Sequence, residues 1–332
     1  MRRRLPVLDP ATRCPLTVLG GFLGAGKTTL LNRLLTGASG RYAVLVNDFG
    51  AINVDAGLVA DHDGKTLRLT NGCVCCSLAD GFLDTLMRVL AEPEPFDHIV
   101  IEASGVGDPG AIADIARVEP GLVLHGVIVL ADAERLPALV ADARLGDTIT
   151  RQIRAADLLV LNKCDLVDPC GLSASREILV SLRPGVPVVE TVDAALPQAI
   201  LAPDPVSPRR GDDGGFPVAE AAHETDFVRI LYRRAGAFDR DRLAHALSTL
   251  PLSLLRLKGR LRLGDRPETH LLQMVGRRWT LTPLPALPDG RIELVGIASG
   301  HPGSGDAVAS LLDRALLRAE PPILQGDVHR CA

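Results

Sequence analysis

The 332-residue chain lacks any apolar run that approaches the ~20 residues of a membrane-spanning helix. Its net charge of −4 provides no basic field that would attract nucleic acid or an acidic membrane surface. The basic start also lacks the apolar core of a signal peptide, because Pro6, Asp9, Pro10 and Arg13 interrupt it. One tight cysteine cluster without a second pair disfavours a zinc-finger nucleic-acid binder. We therefore expect a cytoplasmic protein with no nucleic-acid or membrane partner.

Short apolar runs alternate with helical patterns over residues 14–200. The runs that we interpret as strands span residues 15–20, 42–47, 98–103, 126–132, 157–162 and 186–190. Continuous β-branched runs that alternate with helices are typical of a parallel sheet covered on both faces. The sequence therefore predicts an α/β fold with a mostly parallel, doubly wound sheet.

The composition changes beyond this region. Residues 201–224 are rich in proline, glycine and charge, which indicates a linker. Beyond it follow FVRILYRR, DRDRLAHALSTL, SLLRLKGRLRL, THLLQMVG, RWTL and RIELVGIA, and residues 307–318 have helical spacing. This order predicts a smaller α+β domain with an antiparallel sheet. We thus predict three parts, which span residues 14–200, 201–224 and 225–320.

Residues 21–28 read GFLGAGKT and fit the phosphate-binding pattern G-x-x-x-x-G-K-[ST] without a mismatch. The glycines let backbone N–H groups point at phosphate oxygens. Lys27 neutralises charge on the β- and γ-phosphates, and Thr28 can offer its hydroxyl to Mg²⁺. An ordinary glycine-rich turn is the alternative, but a predicted strand before the motif and a helix from Lys27 favour nucleotide binding. The predicted fold is therefore that of a P-loop NTPase.

A second nucleotide motif, Asn162-Lys163-Cys164-Asp165, follows a predicted buried strand. Asp165 could accept hydrogen bonds from the N1–H and the exocyclic amine of guanine, whereas adenine offers no such donor pair. Asn162 and Lys163 would brace the loop and pack on the ring. Alone, the pattern is also that of a polar turn after a strand. Its position after a P-loop favours GTP over ATP.

Two carboxylates follow other predicted strands. Glu102 ends HIVIE, where it can hold Mg²⁺ through water or orient the attacking water. The alternative for Glu102 is a carboxylate that merely faces solvent. Asp48 lies in NDFG and is a candidate ligand for Mg²⁺ or a second metal, although a turn-forming role is equally compatible. We predict Lys27, Glu102 and Asp48 as the catalytic residues.

The stretch NGCVCCSL holds Cys73, Cys75 and Cys76, three of the seven cysteines. A strand or a helix would point one of the three sulfurs away, so they converge only on a turn. Three thiolates suit Zn²⁺, Cu⁺ or Co²⁺ and leave a position open for a receiving protein's ligand. A thiol switch and a role as small buried hydrophobic residues are the alternatives. Conceivable fourth ligands are His62, His125 and His223, although a solvated or core role is more usual for each.

Five motifs occur together in this chain: GGFLGAGKTTLLN, NDFGAINVD, NGCVCCSL, IVIEASGVGDP and NKCD. In order and spacing they resemble the motifs of the CobW-type metal-chaperone GTPases, which belong to the class of P-loop proteins that includes the nickel-insertion GTPases. Further along, LLRLKGRLRL, QMVGRRWTL and RIELVGIA resemble the C-terminal domain of that family. The chain departs from the family pattern at Asp48, where Glu is usual, and in EASG. Its linker also lacks the histidine-rich run of many relatives.

The resemblance implies a GTPase that binds a transition metal at its C-x-C-C motif, with GTP gating the affinity for the metal. The implied cofactors are GTP or GDP, Mg²⁺, and Zn²⁺ or Co²⁺. The implied phosphate ligands are Gly21, Gly24, Ala25, Gly26, Lys27, Thr28 and Thr29. Thr28 and Glu102 would hold Mg²⁺, Asn162, Lys163 and Asp165 would read guanine, and Cys73, Cys75 and Cys76 would hold the metal. The ion would pass to a client metalloprotein or to an enzyme of metal-cofactor synthesis.

We hypothesise a GTP-hydrolysing metallochaperone for a divalent metal, with zinc favoured over cobalt. One alternative is a P-loop kinase with structural zinc, which would consume nucleotide only when an acceptor is present. The other is a non-catalytic metal-binding interaction module, in which Lys27→Ala would leave metal delivery unchanged. The sequence identifies neither the client nor the oligomeric state.

Overall fold

The computed structural model describes residues 13–36, 40–47, 66–71, 80–197, 200, 227–264, 268–284, 291–299 and 304–317. These residues form two sheets, one of seven strands and one of five. Within the described ranges, no helix combines the length and the apolar character that crossing a membrane requires.

The first sheet consists of β1 (Cys14–Gly21), β2 (Tyr42–Asn47), β3 (Thr66–Asn71), β4 (His98–Glu102), β5 (Leu122–Asp132), β6 (Leu158–Asn162) and β7 (Val188–Thr191). Its order is β3-β2-β4-β1-β5-β6-β7. Every neighbouring pair is parallel, so the carboxyl ends of all seven strands meet at one edge. The predicted α/β fold class is confirmed. Strand β3 was missed, because TLRLTN is an alternating run typical of a sheet edge rather than a continuous apolar run.

Helices cover both faces of this sheet: α1 (Lys27–Leu35), α2 (Asp80–Leu90), α3 (Pro109–Val118), α4 (Leu136–Ala141), α5 (Gly146–Arg154) and α6 (Pro169–Leu182). Helix α1 buries Leu30, Leu31 and Leu34 against one face, at the spacing that predicted the helix. The starts of α3 and α6 follow a common rule, in which an aspartate caps the helix and a proline occupies its first position.

The second sheet consists of β8 (Phe227–Arg234), β9 (Leu254–Leu263), β10 (Glu268–Val275), β11 (Arg278–Pro283) and β12 (Ile292–Ser299). Its order is β11-β10-β9-β12-β8, and all its pairs are antiparallel, as predicted. Helices α7 (Arg240–Thr249) and α8 (Ser304–Asp313) pack in its hydrophobic cluster. The prediction of a last helix over residues 307–318 was wrong at both ends, because α8 begins at Ser304 and Leu316 already forms a bridge with Phe238.

The two sheets contact each other directly. Leu255, Val275 and Ile297 of the second sheet lie in the same buried cluster as α1. At the start of β6, the Asp157 carboxylate accepts a hydrogen bond from Nε of Arg278 at 2.6 Å. The predicted linker, residues 201–224, lies outside the described residues, and the boundaries 14–200 and 225–320 stay a prediction.

Candidate nucleotide and metal site

The phosphate loop connects β1 to α1 through a backbone that only glycine allows. Gly21, Gly24 and Gly26 have φ values of 129°, 79° and 105°. A Cβ on Gly21 would lie 2.3 Å from the carbonyl oxygen of Leu130, and one on Gly26 would lie 2.4 Å from Nδ2 of Asn162. Both positions therefore exclude a side chain on steric as well as conformational grounds. The P-loop conformation is set by neighbours on β5 and β6, as well as by the motif itself.

The first residues of α1 point their polar groups into this loop. Lys27 is only 7% exposed, and its ammonium donates a hydrogen bond to the carbonyl oxygen of Phe22 at 3.2 Å. Ala25 is buried, whereas Thr29 is exposed. The loop closes on itself through the N–H of Ala25, which donates to the same Phe22 carbonyl. An ammonium held over the loop is available to the phosphates that such a loop surrounds.

Thr28, on the first turn of α1, meets Glu102, the last residue of β4. The Thr28 hydroxyl donates to Oε1 of Glu102 at 2.9 Å, and Glu102 is only 6% exposed. The alternative that Glu102 merely faces solvent is therefore wrong. A hydroxyl and a carboxylate together offer the hard oxygen ligands that Mg²⁺ prefers, so this pair fits that cation.

The guanine motif is anchored to the phosphate loop by Asn162. Its Nδ2 donates to the carbonyl oxygen of Ala25 at 2.9 Å. Its Oδ1 accepts from the N–H of Ala194 at 2.7 Å and from the Thr191 hydroxyl at 3.2 Å. Asn162 is only 2% exposed, so these bonds fix the backbone that surrounds it, while its role toward the base stays a prediction.

The rest of the guanine motif lies at the surface. Lys163 adopts the left-handed conformation, with φ of 62°, and precedes a short 3-10 helix (Cys164–Leu166) that exposes Asp165. Sequence reasoning missed the loop after β7, where Asp193 and Ala194 both have φ of 53°. Two consecutive non-glycine residues with positive φ are strained, and such strain is typical of functional loops. The end of the apolar run within VETVDAA was the signal available in the sequence.

The structure does not describe Asp48, Cys73, Cys75 or Cys76, but it does describe the strands that precede them. The last residues of β2 and β3, Asn47 and Asn71, pair with each other. On the other side of β2, Val46 pairs with Glu102. With neighbouring strands about 4.8 Å apart, β3 ends roughly 10 Å from β4, the strand that carries Glu102. The last residues of β2 and β3 are thus neighbours, at the same edge of the sheet as Glu102.

His125 lies far from this edge and is a core residue. It is 6% exposed and lies near the amino end of β5, where its ring packs edge-on against His98 at a centroid distance of 5.1 Å. Burial, together with the positive charges of Arg256 and Lys258, lowers the pKa of His98 from 6.5 to about 3. Burial, His98 and the same two cations hold the pKa of His125 well below 6.5.

Metal ligands do not cluster elsewhere in the described part of the chain, where no group of three or more His, Cys, Asp or Glu residues could hold an ion. His62 and His223 lie outside that part. Cys14 and Cys164 are partly buried, and burial raises the pKa of each thiol, that of Cys14 to about 12. Both thiols are therefore poor metal ligands and poor nucleophiles at neutral pH.

Comparison with known proteins gives the family. Residues 15–190, more than half of the 332 residues, match the family described as CobW/HypB/UreG, nucleotide-binding domain. Residues 227–316 match the Cobalamin synthesis protein cobW C-terminal domain. The chain belongs to the CobW family. This CobW-type chain is a P-loop GTPase, and the prediction of a GTP-hydrolysing enzyme is confirmed.

Individual relatives carry more specific names. A protein of Sinorhizobium sp named "Zinc chaperone CobW" is 30% identical over 307 residues, which cover 80% of this chain and 86% of that protein. The "Zinc-regulated GTPase metalloprotein activator 1" of Schizosaccharomyces pombe is 34% identical over 195 residues, 55% of this chain and 46% of that protein. The crystal structure of Zn(II)-bound YjiA GTPase from Escherichia coli has a TM-score of 0.44 at 23% identity, covering 92% of this chain and 99% of that chain. Cobalt, cytoplasmic location and the absence of nucleic-acid and membrane partners stay predictions.

Proposed function

We propose that the protein carries zinc at its three-cysteine motif, that GTP controls how tightly the ion is held, and that the ion passes to a client metalloprotein or a cofactor-synthesis enzyme. The observation that carries this proposal is the strand order β3-β2-β4-β1. In sequence, β3 precedes the cysteine motif, β2 precedes Asp48, β4 ends at Glu102 and β1 precedes the phosphate loop. One edge of the sheet therefore gathers the starting points of both sites.

We propose that the nucleotide binds to the residues that the sequence predicted. The phosphates bind in the loop from Gly21 to Thr29, where Gly24 and Gly26 supply backbone N–H groups and Lys27 supplies a positive charge, while the N–H of Ala25 closes the loop on Phe22. Asp165 accepts from guanine, and its exposure leaves the carboxylate accessible to the base. Thr28 and Glu102 would hold Mg²⁺, which would supply positive charge to the transferring phosphoryl group. Asp48 is the candidate that orients water or a metal from the neighbouring loop.

We assign zinc, as cargo, to Cys73, Cys75 and Cys76. Zinc takes precedence over cobalt because the Sinorhizobium relative is named a zinc chaperone, and thiolates are suitable ligands for Zn²⁺. Three sulfurs leave one tetrahedral position open, through which a client's ligand can displace the protein's own. Delivery to a metalloprotein is supported by the name of the Schizosaccharomyces pombe relative.

We propose that GTP controls zinc binding because the two sites begin at the same edge of the sheet. If GTP orders the segment after Asn47, the segment after Asn71 has an ordered neighbour against which its sulfurs can converge, because the two asparagines pair. Coupling between two ligands is reciprocal, so zinc must tighten GTP binding by the factor by which GTP tightens zinc binding. Hydrolysis then weakens the hold on the ion.

A zinc titration with a competing indicator tests the gating. We expect binding in the presence of a non-hydrolysable GTP analogue to be about tenfold tighter than with GDP, within the usual range of such couplings. Lys27→Ala should remove the nucleotide effect, and Cys73→Ser should weaken zinc binding with either nucleotide. Cys170→Ser is the matched control, because this exposed cysteine lies on α6, outside the motif.

The outcomes separate the parts of the proposal. Equal zinc affinities with GTP analogue and GDP would refute the gating but leave the GTPase intact. Undiminished zinc binding after replacement of Cys73, Cys75 and Cys76 by serine would refute the ligand assignment. A kinase with structural zinc would release no phosphate from GTP without an acceptor, and a non-catalytic module would deliver zinc equally well after Lys27→Ala.

A further inference from the structure

A buried carboxylate outside the recognised motifs holds the lysine of the guanine motif. Asp132 ends β5, pairs with Asn162 on β6 and is 4% exposed. Its Oδ2 accepts a hydrogen bond from the Lys163 ammonium at 2.7 Å. Lys163 is held at both ends, because its backbone is in the left-handed conformation and its side chain ends on this carboxylate. The side chain is thereby restricted to one direction across the surface of the guanine motif.

The second oxygen of the same carboxylate holds a different turn. Oδ1 of Asp132 accepts from the N–H groups of Glu134 and Arg135, at 3.0 and 3.2 Å. Both oxygens of Asp132 are therefore used, one for the lysine and one for the backbone. The turn fixes the backbone of Arg135 immediately before α4.

Arg135 extends from this turn to the phosphate loop. Its Nη1 donates to the carbonyl oxygen of Leu23 at 3.2 Å. Its guanidinium carbon lies 6.0 Å from the centre of the Phe22 ring, within range of a cation–π interaction. Nη1 is also the nearest atom, at 3.6 Å, to a Cβ built on Gly24. The arginine thus contacts two consecutive residues of the phosphate loop, Phe22 and Leu23, and borders the third, Gly24.

We infer that Asp132 is a positioning residue that joins base recognition to phosphate recognition, acting through Lys163 in one direction and through Arg135 in the other. This inference rests on the proposed nucleotide site. Asp132 touches neither base nor phosphate. It sets the direction of a side chain that packs on the base and, through Arg135, the shape of the loop whose N–H groups hold the phosphates. The guanine base and the diphosphate are then bound by two loops, and the side chains that position both loops are held by the buried Asp132.

Asp132→Asn tests the lysine arm selectively. The amide oxygen can still accept from the N–H groups of Glu134 and Arg135, whereas the amide NH₂ is a donor that faces the Lys163 ammonium. We expect GDP and a GTP analogue to bind about tenfold more weakly, and by the same factor. In a chain that already carries Lys163→Met, Asp132→Asn should have almost no further effect on nucleotide affinity, because the lysine through which Asp132 acts on the base is absent. A residue that only supported the fold would lower affinity equally in both backgrounds.

Arg135→Leu tests the phosphate arm. It should weaken the binding of GDP several-fold and that of GMP by less, since the loop N–H groups hold the α- and β-phosphates and GMP has only the first. Arg135→Lys should recover part of the loss. Asp132→Asn should instead weaken GMP and GDP alike. A loss after Arg135→Leu that is as large for GMP as for GDP would overturn this half of the inference.

Asp142→Asn is the matched control for these measurements. Asp142 forms the same kind of turn, accepting from the N–H groups of Arg144 and Leu145 at 2.7 and 3.0 Å, but it is exposed and these bonds stay within its own turn. We expect wild-type affinity from it, and circular dichroism should report folded protein for every variant. Unchanged GDP affinity after Asp132→Asn would overturn the inference while leaving the nucleotide site in place. A wild-type chain that binds no guanine nucleotide would instead refute the proposed function.

Discussion

The Asn162 side chain links the guanine motif to the phosphate loop by a hydrogen bond to Ala25. Replacing Asn162 therefore tests whether this link holds the two motifs together. Asn162→Ala removes three hydrogen bonds at once. Two of the partners, the carbonyl oxygen of Ala25 and the N–H of Ala194, lie close to a side chain that is 2% exposed, so water has little access to replace the amide. The Thr191 hydroxyl loses a third, longer bond of 3.2 Å.

The expected cost follows from these partners. A buried polar group left without a partner costs about 1–3 kcal/mol, so two such groups predict a loss of roughly 3 kcal/mol in the free energy of unfolding. Thr191→Val removes only the longest of the three bonds at nearly constant volume and should cost about 1 kcal/mol. Asn162→Asp keeps two acceptors but places a carboxylate oxygen against the carbonyl oxygen of Ala25, so it should reduce the affinity for GDP more than tenfold.

Urea denaturation without nucleotide measures the stability part, and fluorescence titration with a GDP analogue measures the binding part. Thr191→Val is the graded control, because it removes one bond and leaves the other two. If Asn162→Ala costs no more stability than Thr191→Val, the anchoring role of the amide is refuted. If Asn162→Asp binds GDP as tightly as the wild type, the bond to Ala25 does not hold the phosphate loop.

Two further predictions concern the buried groups beneath the second sheet. Because the folded-state pKa values of His98 and His125 lie below 6.5, the unfolded chain takes up protons that the folded chain refuses, and stability should fall as the pH drops below 6.5. The expected slope is roughly 1 kcal/mol per pH unit for each histidine; denaturation between pH 7.5 and 5.5 measures it. His245→Gln, at an exposed position, should leave the slope unchanged, and a flat profile in the wild type would contradict the burial argument. Arg278→Met should cost about 2 kcal/mol, because the Asp157 side chain is only 7% exposed and loses its cation. Asp157→Asn in the same chain should recover part of that loss, and additive losses in a double-mutant cycle would argue against the ion pair.

The local spacing of residues was sufficient to predict the phosphate loop and the guanine motif. A phosphate loop needs glycines within a few residues of each other, and a guanine motif needs its asparagine and aspartate three positions apart, so both are visible as short patterns. The helix from Lys27 and most strands of the first sheet followed from periodicity for the same reason. Strand β3, next to the cysteine motif, was not visible, because an edge strand needs only an alternating pattern.

The sequence by itself determined which groups are the candidates to bind phosphate and guanine, because these chemistries demand particular residues at short, local distances. Only the tertiary structure decided which of those groups meet. Asn162 reaches Ala25 across 137 positions, and Lys163 reaches Asp132 across 31. The physical reason is that strand order in a parallel sheet is set by how the crossover helices pack, so the neighbours of a strand's carboxyl end are chosen by the whole fold rather than by the residues of that strand.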